Sequence, residues 1–211
     1  MNLSGWMFVK NNQDKPEASV SLGPRAESMQ SWPSGHCKIT LDDQWLSAVR
    51  AAAEHLDRVM CGAQPLDGRS ENYWDRMKGK LGEAAVAVWF GAPRSVLFGD
   101  PLDEADVGPI EVKFCSRADP RLRIAMKDRD RKILGRPYVL TTPVKPMEYG
   151  SEQSSNDELL VQYRDIWIVG WRHGSDCERF EPESNRPEWR IQPKHLKNVS
   201  ELRRNLQGIQ P

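Results

Sequence analysis

With 211 residues, 38% hydrophobic and 28% charged, the chain has the size and composition of one globular domain with extensions, which excludes a fibre or a wholly disordered protein. Its 30 basic and 30 acidic residues cancel, so net charge by itself gives no support to a polyanionic partner. Cys37, Cys61, Cys115 and Cys177 have neither CxxC nor zinc-site spacing, and no run reaches the ~20 apolar residues of a membrane span. Free thiols in a soluble, unexported, cytoplasmic protein are expected, with no membrane partner.

Residues 1–40 are rich in Ser, Pro, Asn, Gln and Gly, and they read as a polar N-terminal extension. A core domain is expected over 41–175, followed by a C-terminal extension, 176–211, packed on it. Asp42 or Asp43 can cap a first helix carrying Trp45, Leu46, Val49, Ala52, Ala53 and Leu56 and ending near Gly62. A second helix is predicted from about Glu71 to Phe90, stopped by Gly91-Ala92-Pro93. Its latter half is apolar nearly all round, so Glu83 sits where a charge is expensive.

Short apolar runs then predict strands at Ser95–Phe98, Ile110–Cys115, Arg121–Ala125, Tyr138–Thr142 and Ile166–Trp171. A charged, helix-like piece, Met126–Leu134, lies between the third and the fourth. Trp167 and Trp171 are expected on one side of their strand, as core residues. Residues 145–158 read as a polar insertion, Trp189–Ile191 as a short strand, and about Ser200–Leu206 as a terminal helix. The fold class expected is α/β, a mixed central sheet flanked by helices.

The chemistry concentrates in Asp106-Val107-Gly108-Pro109-Ile110-Glu111-Val112-Lys113-Phe114. Gly108-Pro109 predicts a turn that folds Asp106 back beside the following strand. On that strand Glu111 and Lys113 share one face, ~7 Å apart along the backbone, and Ile110, Val112 and Phe114 take the other. Carboxylates and a backbone carbonyl are the hard oxygen donors that magnesium prefers. Glu83 has an alternative in a pair with Lys80 or Arg76, Asp106 in a simple turn role, and Glu111 with Lys113 in a solvated ion pair.

This arrangement resembles the PD-(D/E)xK nuclease superfamily, and in particular the variant of Holliday-junction resolvases and phage exonucleases in which a helix Glu joins an Asp and a strand-borne Glu-x-Lys. Glu83, Asp106 and Glu111-Val112-Lys113 match those positions, over roughly residues 71–142. Ala105 stands where the family has Pro, and four residues between Asp106 and Glu111 is a short spacing, so Asp100 and Asp103 stay open as the first acid, with Glu104 a weaker alternative. A second acid-x-Lys triplet, Asp130-Arg131-Lys132, falls in the helix-like stretch, where residues two apart diverge.

The resemblance implies a restriction-endonuclease-like αβββαβ core and magnesium, replaceable by manganese, held by Glu83, Asp106, Glu111 and the Val112 carbonyl. It implies hydrolysis of DNA by a metal-activated water, with Lys113 orienting or helping to deprotonate that water. An RNA endonuclease with the same site, and a non-catalytic nucleic-acid-binding protein on the same fold, are the alternatives. A homodimer stays among the open arrangements.

Charge distribution suits a phosphate-binding surface beside a cation site, and equally solvated loops and a salt-bridged helix face. Val96–Glu111 holds five acids and no base, whereas Arg117–Arg136 holds eight bases against three acids. Arg117, Arg121, Arg123, Lys127 and Arg131 are the residues expected to contact phosphates.

Overall fold

The computed structural model describes residues 32–60, 73–99, 105–117, 120–125, 135–145, 156–179 and 188–207. Strand β1 (Cys37–Thr40) leads into helix α1 (Asp43–Met60), and α2 (Tyr73–Phe90) follows. Strands β2 (Glu111–Phe114), β3 (Leu122–Ala125) and β4 (Pro137–Pro143) come next, then α3 (Asn156–Gln162), β5 (Asp165–His173), β6 (Glu188–Ile191) and α4 (Val199–Gln207). The architecture is mixed α/β. Its main sheet has four strands in the order β1-β5-β4-β2, with β2 parallel to β4 and the other two pairings antiparallel. Among the described residues no helix is long and apolar enough to cross a membrane.

Local chemistry sets both long helices. Asp42 caps α1, accepting the Trp45 N–H on its carboxylate at 2.8 Å. Helix α2 ends in a Schellman motif, in which the Ala92 N–H reaches the Ala87 carbonyl (2.9 Å) and the Gly91 N–H that of Val88 (3.3 Å). Gly91 supplies the left-handed φ of 83° that this cap needs. Val49, Ala52 and Ala53 of α1 and Met77, Leu81 and Ala84–Ala87 of α2 are buried together against one face of the sheet.

Gly82 brings α2 close to that face. A Cβ there would lie 2.5 Å from Thr141 Oγ1 and 3.2 Å from the Phe114 ring. The opposite face carries a second core, in which Tyr138, Leu140, Trp167 and Val169 meet Leu122, Ile124, Trp189 and Ile191. Those last four belong to a separate antiparallel ribbon, β3 with β6. The sheet is therefore covered on both faces, which is why β4 is buried along its whole length.

Several expectations change. Ser95–Phe98 lies not in a strand but in a 3₁₀ turn spanning Arg94–Phe98, closed by Val96 N–H to Pro93 and Gly99 N–H to Val96, and of these residues only Leu97 is buried. Among the described residues these four pair with no strand. The run at 122–125 is a strand, but it belongs to the ribbon and not to the main sheet. Cys37–Thr40, inside the segment read as extension, forms an edge strand, and Trp32 ahead of it is buried. Helix α3 starts within the stretch read as a polar insertion. Met126–Leu134 lies outside the described residues.

Trp167 and Trp171 face opposite sides. Leu140 pairs with Gly170 but Thr141 pairs with Ile168, so one residue of β5 bulges and the alternation inverts. Trp167 joins the ribbon-side core and Trp171 the helix-side core.

Candidate active site at the free edge of the sheet

Strand β2 is an edge strand, paired with β4 on one side only. Val107 and Ile110 close the preceding turn through reciprocal N–H to C=O bonds of 3.0 Å, and Gly108 occupies it at a φ of 57°. The turn carries Asp106 back along the strand, where its Oδ2 accepts the Val112 N–H at 2.6 Å. That amide points off the open edge, since the alternate residue Cys115 donates to Thr141 on β4. In an extended residue N–H and C=O share a side, so the Val112 carbonyl faces the same edge.

Glu111 and Lys113 project from the ribbon-side face. Lys113 Nζ donates to Glu111 Oε1 at 3.0 Å and lies 5.7 Å from the centre of the Tyr138 ring. Arg136 Nη1 stands 3.7 Å from the other Glu111 oxygen. From the helix side comes Glu83, 9% exposed, whose Oε2 accepts a 2.7 Å bond from Lys80, itself 8% exposed. Glu83 follows Gly82 directly, so the close approach of helix to sheet delivers it to the edge.

Electrostatics ties the three acids together. Burial pushes Glu83 up to about 7, and Asp106 and more weakly Glu111 add to that, against the lowering effect of Lys80. Burial likewise raises Asp106 to about 6, with Glu111 adding, while Lys113, the Val112 N–H and Lys80 pull it down. Asp106 influences Glu83 more than Glu111 does, as expected if it lies between the two faces of the strand. Three acids meet three cations, Lys80, Lys113 and Arg136, and burial is what holds Glu83 and Asp106 up despite them.

Hard oxygen donors suit a small divalent cation, and Glu83, Asp106, Glu111 and the Val112 carbonyl are the residues that could hold one. Their present positions are more open than a closed metal site. Among the described residues, no three His, Cys, Asp or Glu side chains form a group that could enclose a metal ion. Lys80 pairs with Glu83 along its helix, and Lys113 with Arg136 pairs with Glu111 on the other face.

Of the residues expected to meet phosphates, Arg117 is exposed just beyond β2, and Arg121 and Arg123 are half-buried. Arg123 sits opposite Arg190 on the outward face of the ribbon, since Leu122 and Ile124 point inward. Lys127 and Arg131 lie outside the described residues, as do Asp100, Asp103 and Glu104.

Of the two partners left open for Glu83 by the sequence, Lys80 is the one that pairs with it, at i,i+3. Arg136 emerges only here as a participant. It carries no local signal, because it meets Glu111 through the parallel pairing of β2 with β4, across an intervening ribbon strand. Cys37, Cys115 and Cys177 are free thiols, and burial pushes Cys37 up to about 11. Searches with this chain find no matching family model, no matching curated protein and no matching solved structure.

Proposed function

We propose that the chain is a magnesium-dependent nuclease of the PD-(D/E)xK type, on a restriction-endonuclease-like core, that hydrolyses DNA phosphodiester bonds. What supports it most is the gathering of Glu83, Asp106 and Glu111 at an open strand edge, with the Glu83 and Asp106 carboxyl groups raised first by burial and then by a neighbouring acid, Asp106 for Glu83 and Glu111 for Asp106. The parallel pairing of β2 with β4 and the packing of α2 beside them agree with such a core. Magnesium, when bound, would neutralise charge developing on the phosphate and make a water molecule easier to deprotonate.

The chain's own groups do the rest. Glu83, Asp106 and Glu111 bind and fix the cation, and the Asp106 bond to the Val112 amide orients its carboxylate. Lys113 would compete with a cation held there for Glu111, and the freed Lys113 side chain would orient the attacking water as an ammonium or accept its proton as a neutral amine. Arg117, Arg121 and Arg123 hold the substrate backbone as charge partners without reading sequence.

One observation favours a second reading, a non-catalytic nucleic-acid-binding protein on the same core: Glu83 and Glu111 already have lysine partners within the chain. End-labelled linear, circular, single-stranded and branched DNAs, with RNA as a further arm, incubated with magnesium or manganese, separate the two. Cleavage of DNA that falls about 10³-fold in Lys113→Ala, with binding changed less than about threefold, is the expected result. Cleavage of RNA alone would transfer the same chemistry to RNA, and cleavage of neither would leave the binding protein.

A further inference from the structure

Beside the carboxylate cluster lies a cleft of about 280 Å³ between α1, α2 and the Arg94–Phe98 turn. Its described lining includes Ala52, His55, Leu56, Leu97, Phe98 and Lys80. Ala52 and Leu97 are buried and form an apolar floor, whereas Phe98 is 42% exposed at the rim. The His55 ring lies 6.0 Å from that of Phe98, tilted by 60°.

Lys80 joins the cleft to the carboxylates, since it lines the one and donates to Glu83 in the other. An ammonium has three protons, and the Glu83 bond uses one. An apolar floor, a half-exposed aromatic rim and a lysine at the inner end fit a flat, aromatic, apolar-faced group attached to an anion. A nucleobase with its phosphate is such a group, and the volume lies near the lower end of ordinary ligand pockets. A base stacked in a duplex cannot enter, because its faces are already covered.

We infer that this cleft is a subsite for one unstacked nucleobase of the substrate, stacked against Phe98, with its phosphate drawn to Lys80. The identity of the ligand rests on the nuclease reading, and the subsite narrows that reading to single-stranded, frayed or branched substrates. Phe98 acts as a positioning residue. It makes no contact with the reacting phosphate.

The test is fluorescence anisotropy of the full chain with a labelled single-stranded oligonucleotide and with the blunt duplex of the same sequence, in EDTA so that cleavage plays no part. Phe98→Ala should weaken single-strand binding about tenfold, the scale of one lost base–aromatic contact, and leave the duplex within about twofold. Phe98→Trp should bind like the parent, which separates stacking from a general disturbance of the turn. Unchanged single-strand affinity in Phe98→Ala, or an equal loss for both ligands, would overturn the subsite. A chain that cuts DNA but is indifferent to Phe98 loses only the subsite, and one that binds through Phe98 but never cuts loses only the nuclease.

Discussion

The main sheet has two edges, each a four-residue strand, and they treat charge in opposite ways. At β1, Lys38 meets Asp165 at 3.2 Å and Thr40 donates to the same carboxylate at 2.5 Å, with both charged side chains partly open to solvent. A short strand with a lysine and solvated partners is an ordinary way to protect a sheet edge from further pairing. At β2 the edge amide is instead occupied by a carboxylate from the chain's own turn, and three acids crowd it away from water. One edge is closed by charge, while the other stores it. The difference is one of burial: charged residues are present at both edges, and only those at β2 are taken out of water.

Asp106→Asn gives the largest expected effect on stability. With its carboxyl raised from 3.8 to about 6, native Asp106 holds a proton more tightly than the unfolded chain does. Its contribution is therefore fully present below about pH 4 and lost as pH rises through 6. The Asn variant should exceed the parent by on the order of 2 kcal/mol in urea unfolding at pH 8, with the gain gone near pH 4. Magnesium should raise the melting temperature of the parent at pH 8 more than that of the variant. A variant no more stable than the parent at pH 8 would mean that burial does not penalise the charged form of Asp106.

Gly82→Ala sharpens the comparison from the helix side. The new methyl would press on Thr141 Oγ1 in a buried contact, and overpacking of that kind costs about 1–3 kcal/mol, partly offset by the ~1 kcal/mol that Ala gains over Gly in a helix. A net loss of about 1 kcal/mol in chemical denaturation is expected. A neutral outcome would show that α2 can move away from the sheet without strain. Lys38→Ala, at the ordinary edge, should change stability by less than about 0.5 kcal/mol in the same assay, because its ion pair is solvated. A larger loss would erase the contrast between the edges.

What the sequence made legible was local. The Gly-Pro turn, the shared face of Glu111 and Lys113 and the buried setting of Glu83 each follow from a few adjacent residues and one period, and all three are present. The partners of those residues were less accessible. Lys80 was visible only as one of two alternatives for Glu83, and Arg136 reaches Glu111 by a long-range strand pairing that no periodicity encodes. The same limit hid the ribbon: Leu122–Ala125 has a strand's alternation, but only β6, far along the chain, decides which sheet it joins. Cys37–Thr40 was missed because four residues beside Pro33 and Gly35 give too short a pattern to stand out from an extension.

The bulge in β5 has an effect beyond the strand that contains it. By changing phase within one strand, it lets two tryptophans four positions apart tether two different segments, the one ahead of β1 and the one ahead of α4. Trp167 receives Trp32, from ahead of β1, at 6.1 Å on the ribbon side. Trp171 donates its indole N–H to the Asn198 carbonyl at 3.0 Å, just before α4, on the helix side. In an unbroken strand both indoles would have competed for a single layer, and one of the two segments would have been left without its anchor.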